Sequence, residues 1–134
     1  MRTALDSSVL ILLYRKQAGW EAWRDRLSAA AIEGELIISP VAFAEYSVAY
    51  PTLESARRDL ERLHIIYDPF EPASAYLAGQ VFLRYRRKGG PRQHLIPDFL
   101  IAAHASLQAS RLAAVDRGYF RAYFPNLVIL TGTD

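Results

Sequence analysis

A parallel β-sheet covered on both faces by helices is the fold class this sequence predicts. Three observations predict it. Short, continuous apolar runs such as Leu36-Ile37-Ile38 and Ile65-Ile66-Tyr67 read as strands buried on both faces. Between them lie segments with apolar residues at helical spacing, which require right-handed crossovers between parallel strands. The chain has 134 residues, 51% of them apolar, enough for one continuous core and too few for a second. Residues 1–134 therefore read as a single domain, an α/β/α sandwich of three layers around a central parallel sheet.

Taken in order, Leu5-Asp6-Ser7-Ser8 marks the end of a first strand and the start of a helix, because Asp and Ser both favour the N-cap. The apolar run Val9 to Tyr14 continues that helix. Trp20, Trp23, Leu27, Ala30 and Ala31 recur at helical spacing, predicting a helix from Trp20 to Ile32 that stops at Gly34. After the strand Leu36-Ile37-Ile38, Ser39-Pro40 opens a helix with Ser as cap and Pro in the first turn, running to about Tyr50 before Pro51. Thr52 to His64 is the next helix, with Leu53, Ala56, Leu60 and Leu63 on one face. Ile65-Ile66-Tyr67 is a strand. Pro72 to Lys88 is a long helix stopped by Gly89-Gly90-Pro91, and Pro97 to Gln108 is a helix with Pro at its start. Leu112-Ala113-Ala114-Val115 and Leu127 to Leu130 are the last two strands.

Composition narrows the function. No run approaches the ~18 apolar residues of a membrane helix. Asp6, Arg15 and Lys16 interrupt the start, which does not read as a signal peptide, so a cytoplasmic setting is the expectation. The absence of cysteine excludes disulfides and thiolate zinc sites. Net charge is only +2, but of 16 basic residues just Lys16 and Lys88 are lysines. Arginine's planar fork suits phosphate; a GC-rich genome produces the same bias.

Four carboxylates occupy places that converge in a sheet of this class, where sites form beyond the carboxyl ends of the strands. Asp6 follows the first strand, Asp116 follows a late strand, and Asp98 stands in the first turn of a helix. Glu45 lies mid-helix, with Val41 before it and Val48 and Ala49 after, which predicts a position toward or beside the core. Taken singly, each has an ordinary explanation: Asp6 as a cap, Asp98 as a favourable charge on the helix dipole, Asp116-Arg117-Gly118 as a turn, Glu45 paired with an arginine. Together, four acids at one end of a sheet repel and raise each other's pKa values unless a cation lies among them. All-oxygen ligands suit Mg²⁺ or Mn²⁺. The histidines, His64, His94 and His104, show no ligand spacing. His104 comes six residues after Asp98 and reads as a packing residue.

At these residues the sequence resembles the PIN-domain family, and within it toxins of the VapC type. The resemblance runs through Leu5-Asp6-Ser7-Ser8-Val9-Leu10, Ser39-Pro40-Val41-Ala42-Phe43-Ala44-Glu45-Tyr46, Ile96-Pro97-Asp98-Phe99-Leu100-Ile101-Ala102-Ala103-His104-Ala105 and Val115-Asp116-Arg117-Gly118-Tyr119-Phe120. It implies a Mg²⁺- or Mn²⁺-dependent endoribonuclease, with Asp6 and Asp98 as principal metal ligands and Glu45 and Asp116 completing the set. It implies that Ser7 helps order the site, that the chain forms a homodimer, and that a VapB-like antitoxin peptide lies beside the acids, often with an arginine among them. The sequence departs from the family at Ala114, where Thr or Ser is frequent, and at Gly118 and Tyr119, where many relatives carry a further acid. These departures put a second metal position in doubt.

Arg84, Arg86, Arg87, Lys88 and Arg92 form a basic run just before the Asp98 helix. Such a run reads as a solvated helix end or as a rim that holds RNA phosphates beside the acids. Tyr85 within it reads as a base-stacking residue or as core. Gly89-Gly90 lacks the Lys-Ser/Thr of a phosphate loop. The aromatics Trp20, Trp23, Tyr46 and Tyr50 read as core or interface. Competing functions are a catalytically inactive PIN-like RNA-binding or scaffold protein, an RNA-processing nuclease without an antitoxin, and a phosphatase with Asp6 as nucleophile. The last wants a second Asp where Ser8 stands.

Overall fold

The computed structural model describes residues 1–91, 96–116 and 118–132, the side chain of Tyr119 excepted. Among these residues five strands form one sheet: β1 (Thr3–Leu5), β2 (Leu36–Ile38), β3 (Ile65–Tyr67), β4 (Arg111–Ala113) and β5 (Ile129–Leu130). Their order is β3-β2-β1-β4-β5, and every pairing is parallel. Among the described residues seven helices flank the sheet: α1 (Ser7–Tyr14), α2 (Trp20–Glu33), α3 (Pro40–Ser47), α4 (Leu53–Arg62), α5 (Pro72–Arg87), α6 (Pro97–Gln108) and α7 (Gly118–Tyr123). The α/β/α sandwich expected from the apolar pattern is the fold observed.

The central strand is β1, and the chain winds away from it in both directions. Strands β2 and β3 lie on one side, β4 and β5 on the other. The order therefore reverses between β1 and β4, and the crevice beyond their carboxyl ends is where a site forms in such sheets. Asp6 N donates to the Ala113 carbonyl at 2.9 Å, closing the sheet just short of that crevice. Around it Leu5, Val9, Leu10, Ile37, Phe99, Ile101 and Leu112 are buried almost completely.

Local chemistry sets the ends of the elements. Asp6 caps α1 by accepting from Ser8 N, Ser39 caps α3 by accepting from Ala42 N, and Thr52 forms a capping box with Ser55 on α4. Five expectations need correction. Helix α3 ends at Ser47, short of Tyr50, because the chain tightens ahead of Pro51 with Ala49 N bonded to the Tyr46 carbonyl and Tyr50 N to Ser47. Strand β3 sits at the sheet edge, so Ile66 and Tyr67 are exposed and only Ile65 is buried. Strand β4 ends at Ala113; Ala114 N still reaches the Leu130 carbonyl, but Val115 has left the sheet. Strand β5 spans two residues, and α7 follows Asp116 where the sequence read only as a turn.

Candidate active site

Asp6 is held at the mouth of the crevice by the change from strand to helix. Its backbone still belongs to the sheet through Ala113, while its side chain caps α1. Ser8 donates twice to Asp6 Oδ2, from its backbone N at 3.3 Å and from its hydroxyl. Burial pushes the Asp6 carboxyl above the ordinary carboxylate value, and the bonds from Ser8 and from the Ser7 backbone only partly pull it back. The cause is desolvation, not the crowding of acids that the sequence suggested.

Glu45 joins this position from the other side. Its Oε1 accepts from Ser7 Oγ at 2.9 Å. The residue is exposed, so of the expected positions, toward the core or beside it, only the second fits. Val48 and Ala49 lie beyond the end of α3 and are exposed too; the buried face of that helix is Ala42 and Tyr46. Glu45 thus overhangs the crevice. Tyr46, its neighbour, anchors the helix: its hydroxyl bonds to Asp59 of α4 and lies 2.6 Å from the Tyr50 hydroxyl, while Arg62 holds the other Asp59 oxygen at 2.6 Å.

Asp116 lies three residues beyond Ala113, the last residue of β4, with Ala114 N still bonded to the Leu130 carbonyl. It is exposed, and its Oδ1 accepts from Gly118 N at 3.1 Å. Gly118 has φ +33°, a left-handed conformation that favours glycine, and it starts α7. The Ser8 hydroxyl reaches this same segment, accepting from Val115 N at 3.3 Å. Asp98 stands half-buried in the first turn of α6. Helix α6 packs on β1 and β4 and ends three residues before β4 begins, so it runs back along the sheet and its first turn lies toward the crevice.

The structure therefore bonds Ser7, the neighbour of Asp6, to Glu45, ties Asp6 to the exit of β4, and sets Asp98 and Asp116 on elements that lead to the same edge. It does not draw them into one chelating cluster: among the described residues, no three His, Asp or Glu side chains gather closely enough to hold a metal ion. The donor chemistry nonetheless fits a hard divalent cation. The ligands are all oxygen, Asp6 is a desolvated carboxylate, and among the described residues no basic side chain bonds Asp6 or Glu45.

The basic run occupies the end of α5. Tyr85 packs edge-on against Phe99 with ring centroids 5.6 Å apart, which places that end beside the start of α6 and Asp98. Arg84, Arg86, Arg87 and Lys88 are exposed there, and Arg92 lies outside the described residues. Tyr85 is 5% exposed and also meets Tyr123 at 5.6 Å, so it belongs to the core and is no stacking platform. His104 is buried, as a packing residue should be, but it has a partner the sequence did not reveal. Its Nε2 lies 2.8 Å from Asp68 Oδ2, which also accepts from Gln108 Nε2 at 2.9 Å. Asp68 follows β3 just as Asp6 follows β1, a positional signal available in the sequence; its oxygen is occupied by this network.

With this geometry in view, comparison with known proteins decides the family. The PIN domain model matches residues 3–125. The chain belongs to the PIN domain family. Solved structures of similar fold include VapBC2 from Rickettsia felis bound to a DNA fragment from its promoter, with TM-score 0.75, 21% identity and 98% of each chain covered. DNA-bound VapBC from Salmonella typhimurium gives TM-score 0.72 and 22% identity over 98% of each chain. VapBC-1 from nontypeable Haemophilus influenzae gives 0.71 and 21% over 100% of each. At these identities the likeness is one of PIN fold. No curated protein sequence matches the chain. Among the described residues, no helix is long and apolar enough to cross a membrane.

Proposed function

We propose that this PIN domain is a metal-dependent endoribonuclease, the VapC-type toxin of a toxin–antitoxin pair. The observation that carries the reading is the bond from Ser7, the residue next to Asp6, to the Glu45 carboxylate, at the point where the strand order reverses. Family membership and the likeness to VapBC complexes support it.

In this reading Asp6, Glu45, Asp98 and Asp116 would hold Mg²⁺ or Mn²⁺ through their carboxylate oxygens. When bound, such an ion supplies an activated water and offsets charge on the phosphate. The chain's own residues do the rest. Ser7 fixes the Glu45 carboxylate. Arg84, Arg86, Arg87 and Lys88, with Arg92, hold the phosphates of RNA next to Asp98. The protein works in the cytoplasm as a homodimer, and a VapB-like antitoxin silences it by covering the acids.

A second reading, a PIN domain that binds RNA or acts as a scaffold without cutting, is favoured by the acids' failure to converge on their own. Cleavage of RNA with Mg²⁺ or Mn²⁺ separates the two. We expect metal-dependent products from the wild type and none from Asp6→Ala or Asp98→Asn. Metal-independent cutting, or full activity in either variant, removes the nuclease reading. Growth arrest on expression, relieved by the product of a small neighbouring gene, distinguishes a toxin from an RNA-processing nuclease without an antitoxin.

A further inference from the structure

We infer that Ser8 is a positioning residue that couples the acid after β1 to the backbone leading to the acid after β4. The inference rests on the nuclease reading for its catalytic consequence, but the coupling itself is a matter of geometry. A hydroxyl has one proton to give and lone pairs to receive. Ser8 uses both roles across the crevice: it donates to Asp6 Oδ2 and accepts from Val115 N at 3.3 Å, between residues 107 positions apart.

Capping does not require this. The cap on α1 is already made by Ser8 N at 3.3 Å from Asp6 Oδ2, and alanine at position 8 would make it equally well. Nor does the Val115 amide require it, since Val115 is 44% exposed and water can serve it. What the hydroxyl adds is a fixed relationship. Val115 is the first residue to leave the sheet after Ala114, and Asp116 comes next. One side chain therefore selects the Asp6 rotamer and sets the angle at which the chain turns toward Asp116. Both Ser8 bonds fall on Oδ2, leaving Oδ1 outside the clamp. Groups that orient ligands in this way influence metal affinity without touching the ion.

The test compares Ser8→Ala with Ser8→Thr, which restores the hydroxyl. In the metal-free protein, amide hydrogen exchange at Val115 should quicken by roughly tenfold in Ser8→Ala and stay near wild type in Ser8→Thr. Calorimetric Mn²⁺ affinity should weaken by about tenfold in Ser8→Ala, and kcat on RNA should fall by a similar factor with KM little changed, while Ser8→Thr stays within about threefold of wild type. Alanine favours the helix, so the melting temperature should hold and separate positioning from loss of fold. Unchanged Val115 exchange overturns the coupling. So does a Ser8→Thr protein as impaired as Ser8→Ala, or an unaltered Mn²⁺ affinity in Ser8→Ala. A wild type that neither binds Mn²⁺ nor cuts RNA removes the nuclease reading instead, and Val115 exchange still decides whether Ser8 joins the two segments.

Discussion

Ser7 and Glu45 stand 38 positions apart in the chain, and the serine hydroxyl donates to the glutamate carboxylate at 2.9 Å. The bond links the first residue of α1 to α3, two helices that pack together. Because Glu45 is exposed, little of the fold depends on its charge. Glu45→Gln should therefore melt within about 2 °C of wild type. If Glu45 holds the metal, RNA cleavage should fall by roughly 100-fold or more in that variant. Ser7→Ala, which leaves the carboxylate but frees it, should lose about tenfold. Parallel thermal melts and Mn²⁺-dependent cleavage rates check this; an active Glu45→Gln protein would place Glu45 outside the site.

Much of this arrangement was legible in the sequence, for identifiable reasons. Leu36–Ile38 and Pro97–Gln108 have the predicted limits because a fully apolar strand and a helix opened by proline leave the chain few alternatives. The place of Asp6 after β1 followed from its capping chemistry. Glu45 was read as lying toward or beside the core because Val48 and Ala49 were counted as helix, when the turn before Pro51 had already ended α3. Helix α7 was missed because six residues after an Asp-x-Gly turn are too few to show periodicity. The contacts of Ser8 with Val115 and Asp68 with His104 had no local signature, since each joins residues brought together only by the sheet and its crossovers, and the bond of Tyr46 to Asp59 depends on how the turn at Pro51 sets α4 against α3.

Asp6 is a charge that burial disfavours, and that has a measurable sign. Its folded pKa lies above its unfolded one, so its stabilising contribution is full below the unfolded value and is lost as pH rises through the folded value. At neutral pH the ionised carboxylate weakens the metal-free fold. Asp6→Asn keeps an acceptor for Ser8 N and removes the charge. It should raise the metal-free melting temperature at neutral pH by a few degrees, on the order of 1 kcal/mol, while abolishing cleavage. Mn²⁺ should stabilise the wild type and leave Asp6→Asn unmoved. Thermal unfolding at pH 4 and 7.5, with and without Mn²⁺, measures both effects. A less stable Asp6→Asn would contradict them.

Helix α3, which carries Glu45, is tied to α4 through Asp59. Burial alone would raise its pKa, but bonds from Tyr46, Tyr50 and Arg62 outweigh that and hold it below the usual carboxylate value. Its contribution is present above the unfolded value and is lost as pH falls through the folded one. Burial and the same carboxylate push the Tyr50 hydroxyl up to about 12. Asp59→Ala leaves two hydroxyls without their shared acceptor and should cost about 2–3 kcal/mol; Tyr46→Phe should cost about 1–2. Urea denaturation at pH 7 tests the order. The gap between wild type and Asp59→Ala should close as the pH is lowered below about 4, where the unfolded carboxyl protonates.

His104 sets a second acid limit, in a different window. Burial lowers its pKa, and the bond and charge of Asp68 recover only part of the shift. Its Nδ1 is buried and has no hydrogen-bond partner among the described residues, so a proton added there would have no acceptor among them. The folded pKa lies below the unfolded one, so stability is full above about 6.5 and declines as pH falls from there toward the folded value. His104→Gln should flatten the stability profile between pH 6.5 and 5, at the cost of some packing. A wild-type melting temperature unchanged across that interval would show that His104 is not the group responsible.

The basic end of α5 makes a prediction that depends on salt. Arg84, Arg86, Arg87 and Lys88 are exposed, and Tyr85 locks their helix end beside Asp98. If they grip RNA phosphates, each contact releases counterions, so affinity falls with salt at a slope set by the number of contacts. Replacing Arg86 and Arg87 with glutamine should reduce that slope by roughly one to two and raise KM for RNA, with kcat held within about twofold because the acids are untouched. Fluorescence anisotropy against KCl concentration gives the slope, using Asp98→Asn protein so that the RNA survives the titration. If the double variant keeps the wild-type slope, these arginines form only a solvated helix end. The RNA path must then be sought along the other edge of the crevice, beneath Glu45.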